Sequence, residues 1–144
     1  MNDYGKLKHW QKLLRNGHLV ITSVRKELAE ETLKLIDEGF DSQRDPYGNA
    51  WAPKKRPDGR KILHGPTGRL RRGWRVKAVA NARYTVLPSV DYAAPHQAPR
   101  RGRRPRRRMV PGGRRGLPPK WKARFKRVAT RAMAQHYRKA LRGF

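Results

Sequence analysis

Cysteine is absent, which removes disulfide frameworks, thiolate metal sites and thiol nucleophiles from consideration. Carboxylates are nearly missing from most of the chain, since only Asp58 and Asp91 follow Asp45. General acid–base catalysis draws mainly on histidines or carboxylates held within hydrogen-bond reach of a substrate. The five histidines, His9, His18, His64, His96 and His136, are scattered without a ligand-type spacing. The sequence therefore predicts no enzyme, no metal site and no cofactor; a nuclease is disfavoured for want of a carboxylate cluster to hold its metal. No stretch approaches the ~18 apolar residues of a membrane span, and residues 1–10 lack the apolar core of a secretion signal. Synthesis in a cytosol and no membrane association are expected.

Apolar residues are also scarce, at 36% against 33% charged, with 13 glycines and 11 prolines among 144 residues. One modest domain with a small core and extended segments is the expectation. What the chain has in excess is positive charge. The formal value is +27, far beyond the magnitude of about 2–8 that keeps a small domain soluble. Residues 1–45 balance 8 Lys/Arg against 8 Asp/Glu, whereas residues 46–144 carry 29 against 2. A polyanion or an acidic neighbour is implied.

Periodicity predicts an α+β fold. Leu7, Trp10 and Leu14, then Ile21, Val24, Leu28 and Leu35, recur at helical steps on either side of Gly17, so residues 1–39 form a helix pair or one kinked helix, with Gly39 as the expected C-terminal cap. Residues 40–69 are rich in turn signals and form a long loop, in which Thr67 is placed to cap a short helical turn through Arg72. In the hairpin region, 70–97, Trp74, Val76 and Ala78 alternate with Arg75 and Lys77, and Tyr84 and Val86 share a face, giving a small antiparallel sheet that turns at Ala80-Asn81-Ala82. Pro95 is expected to keep Ala94 out of a helix. Residues 98–117 form a basic extended arm, and residues 118–144 a C-terminal helix with Trp121, Phe125, Val128, Ala132 and Met133 on its packing face, against the hairpin and the first helix.

The arm carries the strongest chemical signal. Arg100, Arg101, Arg103, Arg104, Arg106, Arg107, Arg108, Arg114 and Arg115 stand together with no acid among them. Such a cluster releases counterions when it neutralises phosphates, and its guanidinium forks suit carboxylates as well. DNA and an acidic neighbouring subunit are therefore both open as its target. Asp41, Gln43, Asp45 and Gly48 have the look of a calcium loop, but Pro46 stands where that loop needs Gly and no Glu closes it, so a plain turn is expected. Gly65-Pro66-Thr67-Gly68 has the spacing of a Gly-x-x-Gly backbone clamp, and is assigned to a tight turn before a short helix. Trp10, Trp74 and Trp121 fall on packing faces, while Trp51, in a loop, is assigned to a subunit contact.

The middle of the chain carries a further pattern: Phe40, then Asp45-Pro46-Tyr47-Gly48-Asn49-Ala50-Trp51-Ala52-Pro53, then Ile62-Leu63, Thr67-Gly68-Arg69-Leu70, Tyr92-Ala93 and His96-Gln97. In order and spacing these residues resemble the phage virion-morphogenesis, or tail-completion, proteins over residues 40–97, with a looser echo at Met109-Val110-Pro111 and in the closing helix. Pro95 departs from the family's usual run, and the Arg-rich stretch of 99–108 is longer and more basic. The resemblance implies a small α+β subunit that completes the tail and joins it to the head, as part of a homo-oligomeric ring that is six-fold by analogy. It would be made in the host bacterial cytoplasm and held in the virion, against tail-tube and neck or connector proteins and with genomic DNA in the lumen. It places Tyr47, Tyr92 and His96 on the fold's characteristic surface, and these three are assigned with Trp51 to the subunit interface. Composition alone would favour the alternative, a general basic nucleic-acid-binding protein of genome-packaging or ribosomal type.

Overall fold

A computed structural model describes residues 3–78, 83–98 and 105–142. The expected turn at Ala80-Asn81-Ala82, and Arg100, Arg101, Arg103 and Arg104, lie outside the described residues. The fold is α+β, as the pattern predicts. Two helices come first, α1 (Asp3–Arg15) and α2 (Gly17–Ser42). They part at Asn16, whose carbonyl accepts from the Leu19 and Val20 amides at 2.9 and 3.4 Å.

α2 runs on past Gly39, the expected stop. Gln43 supplies the left-handed residue instead, at φ 56°, and the Arg44 amide closes on the Gly39 carbonyl at 3.2 Å, the long bond of a Schellman end. A non-glycine residue holds this unfavourable conformation because both halves of its side-chain amide are engaged. Gln43 Nε2 donates to the Phe40 carbonyl and Gln43 Oε1 accepts from the Ile62 amide, each at 2.5 Å. The Gln43 carbonyl also accepts from the Trp51 amide at 2.8 Å. One residue thus ends the helix and fastens two points of the following loop.

That loop leads to α3 (Arg69–Arg72), which Thr67 does not cap: Gly68, at φ 62°, occupies the cap position and brings no side chain to it. Next comes the hairpin, β1 (Trp74–Ala78) and β2 (Tyr84–Pro88), antiparallel with Trp74 opposite Pro88, Val76 opposite Val86 and Ala78 opposite Tyr84. This is the expected pairing of faces, although Val76 stays 38% exposed. Ala94 does become helical, opening α4 (Ala94–Gln97) at φ −55°, ψ −46°. Pro95 is tolerated because it sits in the first turn, where no amide donor is required. The chain closes with α5 (Pro119–Arg142).

α2 is the central element, and both α5 and the hairpin pack on it. The core joins Leu35, Ile36 and Phe40 of α2 to Trp51, Leu70, Trp74, Ala93, Met109 and Trp121. Charge follows the same plan. The acids of α2 face basic residues far along the chain: Glu27 meets Arg131 at 3.3 Å, Glu31 meets Arg124, and Glu38 meets both Lys120 at 3.0 Å and Arg124 at 3.1 Å. Arg71 of α3 forks onto Asp37 and Asp41, with Nη1 to Asp41 Oδ1 at 2.8 Å. Thr32 Oγ1 donates to the Leu28 carbonyl and meets the Tyr84 hydroxyl, both at 2.8 Å, tying the hairpin to α2.

The first helix departs from expectation. Tyr4, Leu7, Trp10 and Leu14 are 65%, 57%, 62% and 78% exposed, so Trp10 does not pack inward with Trp74 and Trp121.

Candidate polyanion-binding surface

The basic stretch is not an arm throughout. From 105 to 112 it runs against the core without regular secondary structure, held by residues that the resemblance picked out. Gln97, at the end of α4, clasps it with both ends of its amide. Oε1 accepts from the Met109 and Val110 amides at 2.9 and 3.2 Å, and Nε2 donates to the Val110 carbonyl at 2.7 Å. The Arg107 amide donates to the His96 carbonyl at 3.1 Å, and Met109 is buried in the core. A segment whose composition argues for disorder is ordered here because one apolar side chain and several backbone groups find partners.

The arginines therefore divide. Arg107 is turned inward, with Nε donating to the Ala52 carbonyl and Nη2 to the Pro53 carbonyl, both at 2.9 Å. Burial lowers its pKa from the ordinary guanidinium value. It is a strut between two segments. Arg106, Arg114 and Arg115 are exposed, and Arg106 Nε donates to the Gln97 carbonyl at 3.2 Å. Arg108 is buried, with its guanidinium 5.3 Å from the centre of the Tyr47 ring; Arg115 stands 5.7 Å from the same ring.

Trp51 is no subunit anchor in this arrangement. It is 5% exposed, sits edge-on to Phe40 at 5.3 Å, and donates from Nε1 to the Arg108 carbonyl at 3.0 Å. The loop around it folds inward because Gln43 holds its amide, so its flat hydrophobic ring fills the core instead of the surface. Tyr92 is exposed and His96 and Tyr47 are half-buried. Tyr47 was missed as an organiser of arginines, because the partners of its ring, and Gly116, whose carbonyl accepts from its hydroxyl at 2.7 Å, lie far along the chain.

Comparison with family models, curated proteins and solved structures gives no match. The surface must therefore be interpreted on its own chemistry. α5 adds to it: the helix holds nine Lys/Arg and no carboxylate, and Lys122, Lys126, Arg127, Arg138, Lys139 and Arg142 are exposed. Among the described residues no group of three or more His, Asp and Glu comes together, and no helix is long and apolar enough to cross a membrane. Asp45 makes the turn expected of it. Its carboxylate accepts from the Tyr47 and Asn49 amides, each at 2.9 Å, and from Asn49 Nδ2 at 3.0 Å. The surface can bind anions through guanidinium and ammonium groups, with strength that falls as salt rises.

Proposed function

We propose that the chain is a non-catalytic structural subunit of a tailed-phage particle, which completes the tail and joins it to the head as part of a homo-oligomeric ring. Tail-tube and neck or connector proteins are its neighbours, and genomic DNA passes nearby. The observation that carries the assembly half of this reading is the exposed apolar ridge of α1, Tyr4, Leu7, Trp10 and Leu14 on one helical face. Four large apolar side chains aligned on one helix mark a protein–protein contact in a chain otherwise dominated by charge. The phage half rests on the resemblance over residues 40–97. Its residues do coherent structural work: Phe40, Trp51, Leu70 and Ala93 are buried together, and Gln97 fixes the basic segment. An excess of 27 positive charges per subunit favours an assembly that supplies anions.

The test is genetic. Particles made without this protein should accumulate filled heads and separate tails, and normal infectious virions would sink the reading. The acid-free surface of α5 favours a second reading, a basic nucleic-acid-binding protein. In a salt titration with duplex DNA, tight binding by the isolated subunit with a steep salt slope favours that second reading. Assembly into a closed ring without nucleic acid favours joining.

A further inference from the structure

Arg106, Arg108 and Arg115 converge on one cleft of about 290 Å³, bordered by Asp45, Asn49 and Trp51. A volume of this order is at the small end for ligand sites and suits a single group. The only carboxylate at its rim among the described residues, Asp45, already accepts the three hydrogen bonds that shape its own turn. Arg108 is 8% exposed, and among the described residues its Nε has no hydrogen-bond partner. A buried guanidinium with an idle donor is costly unless an anion joins it. Burial, with Arg108 and Arg115 close by, also lowers the Arg106 pKa. The cluster is nevertheless rigidly held: Trp51 grips the Arg108 carbonyl, the Tyr47 ring lies beside both Arg108 and Arg115, and the Tyr47 hydroxyl fastens the Gly116 carbonyl.

We propose that this cleft is a phosphate-binding site, in which Arg106, Arg108 and Arg115 together surround one phosphate group. A carboxylate offers two oxygens and one charge and is matched by a single guanidinium fork. Three converging guanidiniums exceed that and suit the tetrahedral oxygens and higher charge of a phosphate. The inference rests on reading these arginines as polyanion contacts. It is independent of ring formation.

The experiment is calorimetric titration of the full chain at fixed ionic strength with inorganic phosphate, sodium acetate, and a duplex DNA of about 12 base pairs. The variants are R106Q/R115Q and R108K, with K26Q/K34Q, an exposed pair on α2, as the charge-matched control. Phosphate is expected to saturate one site and to bind at least about 10-fold more weakly to R106Q/R115Q, with less than about a 2-fold change in the control. R108K, which keeps the charge and loses the fork, is expected to weaken phosphate as well; should it fail to fold, the exposed double variant still decides. Equal losses in R106Q/R115Q and K26Q/K34Q would reduce the cleft to diffuse electrostatics and overturn the proposal. So would acetate binding as tightly as phosphate, or no saturable phosphate binding. If DNA affinity also falls more in R106Q/R115Q than in the control, the phosphate is that of a nucleic-acid backbone. If only inorganic phosphate is affected, the site takes small phosphates. An unaltered chain that assembles into rings yet shows no saturable phosphate binding would sink this inference alone, whereas saturable phosphate binding by a chain that never assembles would sink the joining role alone.

Discussion

α1 and α5 are both amphipathic and both basic, yet α5 buries Trp121, Val128 and Ala132, leaving Met133 and Tyr137 exposed, while α1 leaves Tyr4, Leu7, Trp10 and Leu14 open. Periodicity does not distinguish them. For α5, charge pairing with α2 adds to the apolar burial. α2 presents Glu27, Glu31 and Glu38 to Arg131, Arg124 and Lys120 in antiparallel order, so α5 docks with charge and shape in register. α1 has a single acid, Asp3, and Lys6, Lys8, Lys12 and Arg15 give it the same sign as most of the molecule. An apolar stripe identifies a helix that will be covered; complementary charge identifies what covers it.

The sharpest way to break this comparison is to truncate the same residue type in both helices. Trp121→Ala, at a position 4% exposed in the core, is expected to cost about 3–5 kcal/mol in urea unfolding. Trp10→Ala, at 62% exposure, should stay within about 0.5 kcal/mol. Equal costs would mean that α1 is covered within the chain after all. Glu31→Gln comes next. Glu31 is 6% exposed and its partner Arg124 would keep Glu38 but lose Glu31, so a loss of about 1–3 kcal/mol is expected. Gly73→Ala tests a different joint, with an effect of about 1–3 kcal/mol. A methyl there would stand 2.7 Å from the Arg69 carbonyl oxygen and from Ser89 Oγ, and the backbone between α3 and β1 must shift to admit it.

The elements were legible in the sequence wherever an apolar period and a turn signal agreed: the break beside Gly17, which falls at Asn16, the hairpin strands, and Trp121, Val128 and Ala132 on one face of α5. Their limits were less so. Gly39 looked like the cap, but Gln43 ends α2, because contacts with Phe40 and Ile62 outweigh intrinsic backbone preference. The basic segment looked like a free arm, but Gln97 clasps it and Met109 is buried, a tertiary effect that composition does not carry. Of the candidate site, the arginines were evident and their division was not. Nothing local marks Arg107 as a strut, Arg108 as a buried member of a cluster or Trp51 as core.

Acid should loosen the α2 seam while leaving the arginine cluster charged. Glu38 loses some solvation, which raises its pKa, yet Lys120 and Arg124 hold it below the ordinary 4.5; Arg71 does the same for Asp41, whose ordinary value is 3.8. A carboxylate depressed by folding contributes stability fully above its unfolded pKa and loses it as pH falls through the folded one. Urea midpoints should therefore be flat from pH 7 to about 5 and decline below the ordinary values, and E38Q/D41N should flatten that decline. An unchanged acid limb in the double variant would remove these pairs from the seam.

The smallest expected effect on folding is also the one most informative about assembly. Replacing Leu7, Trp10 and Leu14 together by serine removes the ridge of α1, whose side chains are 57%, 62% and 78% exposed, and urea stability should change by less than about 1 kcal/mol, since exposed positions contribute little. If the ridge is what neighbouring subunits grip, the same variant should stay monomeric in light scattering under conditions where the unaltered chain associates, because an apolar patch of this kind dominates contact energy while charge mainly sets orientation and rate. A variant that unfolds would place the ridge in the core, and one that associates normally would move the contact elsewhere, to the half-exposed Leu87 and Tyr92 side.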